Sequence, residues 1–125
     1  MSERTEEFFL KMQEFLPSTK EAYTESIKQY GEVLETVVIE DIFMPIILNL
    51  LSENMEQQLL ENIFRYFEDI VNSDDSHLIN VLSITVLEML GNDRVILKKA
   101  KHYMGPKTSV IQIKVDEELG RIRDK

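Results

Sequence analysis

The two histidines and several pairs of adjacent carboxylates are side chains of this sequence whose types suit metal binding or acid–base chemistry. Asp74 and His77 are three residues apart, so on a helix they would share a face and could hold a metal ion together. A zinc site needs three or four ligands, however, and the chain has no cysteine and no Glu-x-x-His motif. We therefore expect no metal site and no cofactor, and we interpret His77 and His102 as solvent-exposed side chains.

Three of the adjacent carboxylate pairs are Glu40-Asp41, Glu68-Asp69 and Asp74-Asp75. Such pairs serve two-carboxylate hydrolysis and two-metal phosphate chemistry, but they are also common on solvated helix faces and at helix N-termini. The sequence has no G-x-S-x-G nucleophile motif and no glycine-rich phosphate-binding motif. We therefore predict that the protein is not an enzyme. A metal-dependent phosphate-ester hydrolase is the enzymatic alternative, and we rank it third, after two functions that depend on protein binding.

Polar residues interrupt the apolar segment 78–90, where a central helix is expected. Asn80 and Glu88 are eight residues apart and would project from the same side of that helix, with Ser83 near the same stripe. A buried polar group without a hydrogen bond is costly. These residues therefore either form a buried network with neighbouring helix ends or line the floor of a binding groove.

Apolar residues recur with the helical period along most of the chain, which predicts an all-α protein. The first helix ends at Pro17. Ser18 and Glu21 match a capping box, which predicts that a second helix begins there and runs to Val38 unless Gly31 divides it. Its predicted inner positions are Ala22, Tyr23, Ile27, Tyr30, Val33, Leu34, Val37 and Val38. The later predicted helices cover 39–52, 55–71, 78–90, 95–103 and a last segment within 110–122.

Two of these helices carry an ambiguity. Pro45 lacks a backbone N–H, so it predicts a kink in the helix at 39–52 or a later start of that helix. Residues 110–115 alternate like a β-strand, but a lone strand would have no partner in a helical chain, so we predict a helix there.

The length of 125 residues predicts one domain, 1–125. The segment 55–90 comprises a predicted helix, a short Asp-rich turn and a second, more apolar predicted helix. Its length fits the period of helical-pair repeats. The leading prediction is therefore a short right-handed stack of antiparallel helix pairs, similar to HEAT repeats. A compact irregular helical bundle is the alternative.

Charge is distributed unevenly along the chain. Residues 1–93 hold 19 acidic and 5 basic residues, a net of −14, whereas residues 94–125 hold 4 acidic and 9 basic residues, a net of +5. An acidic body repels phosphate backbones and anionic lipid, so we expect no membrane partner and regard nucleic-acid binding as disfavoured. The acidic N-terminus and the absence of cysteine predict a cytoplasmic protein without a targeting segment.

Three short segments within 39–108 resemble segments of a known group of proteins. They are Phe64-x-x-Phe67-Glu68, Ser-Ile-Thr-Val-Leu-Glu-Met-Leu-Gly at 83–91 and Tyr-Met-Gly-Pro-Lys-Thr at 103–108. The chain resembles small uncharacterised bacterial helical proteins, some of which are encoded beside polymorphic toxins as candidate immunity proteins. The resemblance implies a helical-repeat fold and one-to-one binding that blocks a toxin. Its matched polar positions are Glu68, Asn80 and Glu88.

We therefore predict a protein-binding module that acts by surface recognition, with an immunity-like inhibitor of a basic toxin domain as the leading function. Acidic charge would raise both the affinity and the association rate for such a partner. A structural or regulatory adaptor that acts as a homodimer or larger homo-oligomer is the alternative. The candidate partner-binding residues are Glu32, Glu35, Glu40, Asp41, Glu68, Asp69, Asp74, Asp75, Asn80 and Glu88.

Overall fold

The computed structural model describes residues 2–121, and within this range the chain forms seven helices and no strand. The all-α prediction is confirmed. Helices α1, α2, α4, α6 and α7 are Glu3–Phe15, Lys20–Tyr30, Gln57–Val71, Arg94–Lys101 and Pro106–Glu118. Helix α3 consists of Glu35–Val38 and Met44–Ser52, joined by a π-helical turn at Ile39–Phe43. Helix α5 consists of Ser76–Leu82 and Glu88–Leu90, joined by a π-helical turn at Ser83–Leu87.

Helix α4 lies at the centre of the core because one of its faces is continuously apolar. Six of its side chains are buried: Leu60, Ile63, Phe64, Phe67, Ile70 and Val71. They recur with the helical period that the sequence shows, so this predicted helix is confirmed. It begins at Gln57 rather than Met55, and Met55 is half exposed in the preceding turn.

The contacts of α4 favour the bundle over the stack. Helix α4 packs against α1, α3, α5 and α7, and α3 also packs against α6. In a linear stack each helix pair contacts only its neighbours, whereas here one helix contacts helices from both ends of the chain. The HEAT-like arrangement therefore remains a prediction, while the arrangement seen matches the compact bundle.

The predicted capping box does not form. Pro17–Thr19 make a 3₁₀ turn that leads directly into α2, and no side chain caps the first turn of α2. A capping box needs an extended N-cap residue, whereas Thr19 is helical and donates its own hydroxyl to Leu16 O at 2.6 Å. Helix α2 then ends at Gly31, whose φ is +75°, so the long second helix is divided as the glycine allowed. No residue of α2 is fully buried. Of its predicted inner positions, Tyr23 packs half-buried against the core and Ile27 is half-buried, whereas Ala22 and Tyr30 are exposed and were predicted wrongly.

Helix α3 begins earlier than predicted, so the later start that Pro45 offered is wrong. It begins at Glu35, four residues before the predicted start, and Pro45 lies inside it. Because proline lacks an N–H and its ring crowds the carbonyl one turn earlier, the π-helical turn Ile39–Phe43 just before it widens the helix and accommodates the ring. Helix α7 covers 110–115, so the helical prediction there is confirmed; Ile122 lies outside the described residues.

Candidate functional site

The N-terminal ends of α1 and α5 meet through their capping side chains. Ser2 caps α1 by accepting the amide of Thr5 at 3.1 Å, and its hydroxyl donates to Asp75 Oδ2 at 3.0 Å. Asp75 in turn caps α5, because its Oδ1 accepts the amide of Leu78 at 3.0 Å. The Leu78 amide and the Ser2 hydroxyl lower the pKa of the Asp75 carboxyl. The charged form of Asp75 is therefore held in place by two helices.

A second contact brings the start of α3 to the same place. His77 Nε2 lies 2.8 Å from Glu35 Oε1, where the Glu35 side chain is 20% exposed and the His77 side chain 61% exposed. Asp74 precedes Asp75 in the same turn, and Glu32 precedes Glu35 by three residues; both are exposed. We call Glu32, Glu35, Asp74 and Asp75 the acidic edge. His77 was correctly interpreted as exposed, but its contact with Glu35 is not visible in the sequence.

Three further predicted binding residues lie elsewhere. Glu40 and Asp41 are in the π-helical turn of α3, and Asp69 is on α4; Asp41 and Asp69 are exposed and Glu40 is half-buried. Asp69 lines an open groove of about 320 Å³ together with the cations Lys11 and Arg65. Among residues 2–121, none of the three forms a hydrogen bond or ion pair with the acidic edge.

The carboxylate of Glu68 acts as a cap for α7, although it is forty residues away in the chain. Its Oε1 accepts the amide and the hydroxyl of Thr108 at 2.9 and 2.8 Å, and its Oε2 accepts the amide of Lys107 at 3.1 Å. Asn72 Nδ2 donates to the same Oε2 at 3.0 Å. Partial burial acts to raise the pKa of Glu68, but these hydrogen bonds outweigh it and hold the pKa below the ordinary value. This predicted binding carboxylate thus already has intramolecular donors.

Asn80 and Glu88 do not act together. Asn80 is exposed and lines an open groove of about 350 Å³ between α5 and α7, whereas Glu88 is half-buried and lies outside that groove. The groove-floor interpretation therefore fits Asn80 and Ser83, and the buried-network interpretation fits neither. Ser83 satisfies its hydroxyl by donating to Ile79 O at 2.8 Å. The full lining is Ser76, Ile79, Asn80, Ser83, Ile111, Lys114, Val115 and Glu118.

The sequence reasoning missed a row of buried polar side chains on α7. Thr108, Gln112 and Asp116 are spaced four residues apart and are 0%, 0% and 5% exposed. Gln112 Nε2 donates to Leu87 O and to Asp116 Oδ1, both at 3.0 Å. We call these three residues the polar row. Their regular spacing in 106–118 is the signal that could have revealed them, but the apolar residues between them dominated the sequence pattern.

Arg121 completes this polar packing at the end of α5. Its Nη1 lies 2.8 Å from Asp116 Oδ1, and its Nη2 donates to Glu88 O at 2.9 Å and to Asn92 Oδ1 at 2.7 Å. A guanidinium suits this position because the C-terminal carbonyls of a helix lack intrahelical donors and carry partial negative charge. A β-carbon at Gly91 would lie 2.2 Å from Arg121 Nη1, so the absence of a side chain there makes room for the guanidinium.

The described side chains place charged and hydrogen-bonding groups at the surface of the protein. In the described part of the chain, no group of three or more histidine and carboxylate side chains could hold a metal ion. The carboxyls whose pKa is lowered, Glu68 and Asp75, both cap helices. Over residues 2–121, no helix combines the length and the apolar character that a membrane crossing requires.

A family model described as a domain of unknown function, DUF7674, matches residues 9–118. No curated protein matches the chain, and no solved structure matches it.

Proposed function

This chain belongs to the DUF7674 family, and we propose that it is a protein-binding module whose acidic surface recognises a basic protein domain. In its specific form the proposal is an immunity-like inhibitor that binds a basic toxin domain one-to-one and blocks it. The acidic edge is the observation that supports it most directly.

The acidic edge has the properties of a preorganised electrostatic surface. Its carboxylates come from two separate segments, which the His77–Glu35 contact joins, while the Ser2–Asp75 hydrogen bond ties the second segment to the start of α1. Groups that are already ordered lose less conformational entropy on binding. Glu32 and Asp74 remain exposed within this frame, so both are available to a cationic partner. Complementary charge of this kind increases the association rate and excludes acidic competitors.

The remaining candidate residues contribute unequally to the proposal. Asp41 and Asp69 are exposed carboxylates outside the acidic edge, and Glu40 precedes Asp41 in the chain. Asn80 would contact a partner only through the groove between α5 and α7. Glu68 already accepts hydrogen bonds from α7, so its replacement would alter the fold as well as the surface.

The test uses capture from a host lysate by three forms of the chain: the wild type, the edge variant Glu32→Lys/Asp74→Lys, and a control with the same charge change, Glu53→Lys/Glu61→Lys. All four replaced residues are exposed. We expect the wild type and the control to retain the same basic protein in low salt, and the edge variant to bind it at least about tenfold more weakly. High salt should weaken the wild-type complex.

The captured protein is then produced alone and with the chain. The inhibitor proposal expects growth arrest by the captured protein and rescue by one equivalent of the chain. Binding that is insensitive to salt and to the edge substitutions would contradict the electrostatic proposal. Binding without toxicity would contradict only the inhibitor form.

A homo-oligomeric adaptor is the second candidate, and the outer face of α7 favours it. Val110 and Ile113 on that face are 65% and 37% exposed. A dimer that buries them should dissociate in the variant Val110→Ser/Ile113→Ser but not in Leu10→Ser, since Leu10 is equally exposed on α1. Light scattering of the three proteins tests this; a monomeric wild type would exclude the adaptor.

A further inference from the structure

Helix α7 has an unusual distribution of polar and apolar side chains. A surface helix normally buries its apolar face and exposes its polar face. In α7 the buried positions hold the polar row of Thr108, Gln112 and Asp116, while Val110 and Ile113 face outward. Val115 is the one buried apolar side chain that α7 gives to the hydrophobic core of the described chain. Ile111 adds a half-buried side chain against this core, but the fully buried positions of α7 are held largely by hydrogen bonds and charge.

The N-terminal end of α7 is attached through Glu68 and Gly105. The Glu68 carboxylate receives the amides of Lys107 and Thr108 and the hydroxyl of Thr108. It lies so close to Gly105 that an added β-carbon would be 2.5 Å from Glu68 Cδ. The glycine thus allows the carboxylate to reach the unpaired amides of the first turn.

The C-terminal end is attached in the same way through Arg121 and Gly91. Arg121 bridges Asp116 of α7 to the backbone carbonyl of Glu88 at the end of α5. A β-carbon at Gly91 would lie 2.6 Å from Asp116 Oδ1 as well as close to the guanidinium. Each end of α7 is thus attached by a charged group that packs against a glycine.

Between these ends the contact is incomplete. Gln112 is fully buried and its amide nitrogen donates twice, but its Oε1 accepts no hydrogen bond from the described residues. An unsatisfied buried acceptor destabilises the closed position, because water would satisfy it when the helix leaves. The hydrogen bonds at both ends also exchange for bonds to water on opening, so their net contribution is smaller than that of apolar burial.

We propose that α7 is a strap that opens as a unit while the other helices stay folded, uncovering the segment Ser83–Leu87 of α5. Nearly all of the buried apolar side chains belong to α1 and α3–α6, so the core survives the opening. Helix α7 packs against this segment of α5 and against α4. A ligand that bound the uncovered side would shift the population toward the open form by its preference for that form.

Hydrogen exchange of the full chain, read by mass spectrometry, tests the strap. We expect the amides of residues 110–118 to exchange at least about tenfold faster than those of 60–71 in the wild type, since sub-global opening precedes global unfolding. Glu68→Gln should accelerate exchange in α7 several-fold further and leave α4 within about twofold of the wild type. Glu61→Gln, an exposed change on the same helix, should alter neither.

Three results would overturn the proposal. They are equal protection of α7 and α4 in the wild type, an equal loss of protection in both helices in Glu68→Gln, and no change in α7 in Glu68→Gln. Arg121→Ala gives an independent measurement at the other end of the strap. It should likewise accelerate exchange in α7 and spare α4.

Discussion

Replacing Gly91 by alanine tests the packing of Arg121 most directly. Gly91 has φ −79° and ψ −5°, a helical conformation that alanine adopts without strain. Considered as a backbone change alone, Gly91→Ala would stabilise the protein by about 0.4–1 kcal/mol, because alanine restricts the unfolded chain. The new β-carbon, however, would lie 2.2 Å from Arg121 Nη1 and 2.6 Å from Asp116 Oδ1, so both side chains must shift and the ion pair between them is disrupted.

The cost follows from the contacts that Arg121 makes. Asp116 is 7% exposed and would lose its cation, and the carbonyl of Glu88 and the side chain of Asn92 would lose a charged donor. Separating a buried ion pair costs about 3–5 kcal/mol. We take the low end because the Arg121 side chain is 21% exposed. After the backbone gain is subtracted, we expect a loss of about 2 kcal/mol in the free energy of unfolding.

Thermal and urea unfolding measure this loss. At this chain length the expected fall in Tm is roughly 6 °C. The control is Gly91→Ala in an Arg121→Ala background, where the penalty should shrink because the guanidinium is already gone. An increase in Tm on Gly91→Ala, or an undiminished penalty in the Arg121→Ala background, would refute the reasoning.

Three further predictions concern helix caps and the groove. Folding lowers the pKa of Glu68, so the ionised carboxylate stabilises the protein above the ordinary glutamate pKa of about 4.3. This stabilisation is lost as the pH falls through the lower pKa of the folded state. Acid unfolding of Glu68→Gln, followed by circular dichroism, should lack this part of the pH dependence. Ser2→Ala should cost about 1 kcal/mol in urea unfolding, since it removes the cap of α1 and a donor to Asp75. Asn80→Ala should change stability by less than about 0.5 kcal/mol, because Asn80 is exposed; a loss above about 1 kcal/mol would indicate a buried network.

The fold class was predictable because it depends on local periodicity. The buried face of α4 repeats with the helical period, and Asp93 stands just before α6 and caps its first turn. Such signals lie within a few residues of one another. The capping box failed for the converse reason: the motif Ser18–Glu21 was present, but Pro17 had already started a 3₁₀ turn that made the cap unnecessary.

The candidate site was less predictable because its contacts join distant parts of the chain. Glu68 and Asp69 are adjacent in sequence, yet only Glu68 caps α7, and nothing within 64–71 announces that role. The contact between His77 and Glu35 likewise spans 42 residues. The sequence indicates that these acidic residues are polar, but it does not assign Glu68 and Asp75 to helix caps and Asp69 and Asp74 to the exposed surface.

The two π-helical turns fix the rotational phase of the helices that contain them. A π turn contains one residue more than an α turn, and each residue of an α-helix rotates the side chains by about 100°. Converting Ser83–Leu87 to regular α turns without removing a residue would rotate Leu90 by about 100° relative to Leu82, although both side chains are fully buried. Deleting one residue from this segment would instead restore a regular helix and keep both side chains on the same face. The corresponding turn in α3 packs against this one. The π turn in each helix therefore behaves as an inserted residue whose rotation the wider turn absorbs, so that the segments on both sides keep their apolar faces toward the core.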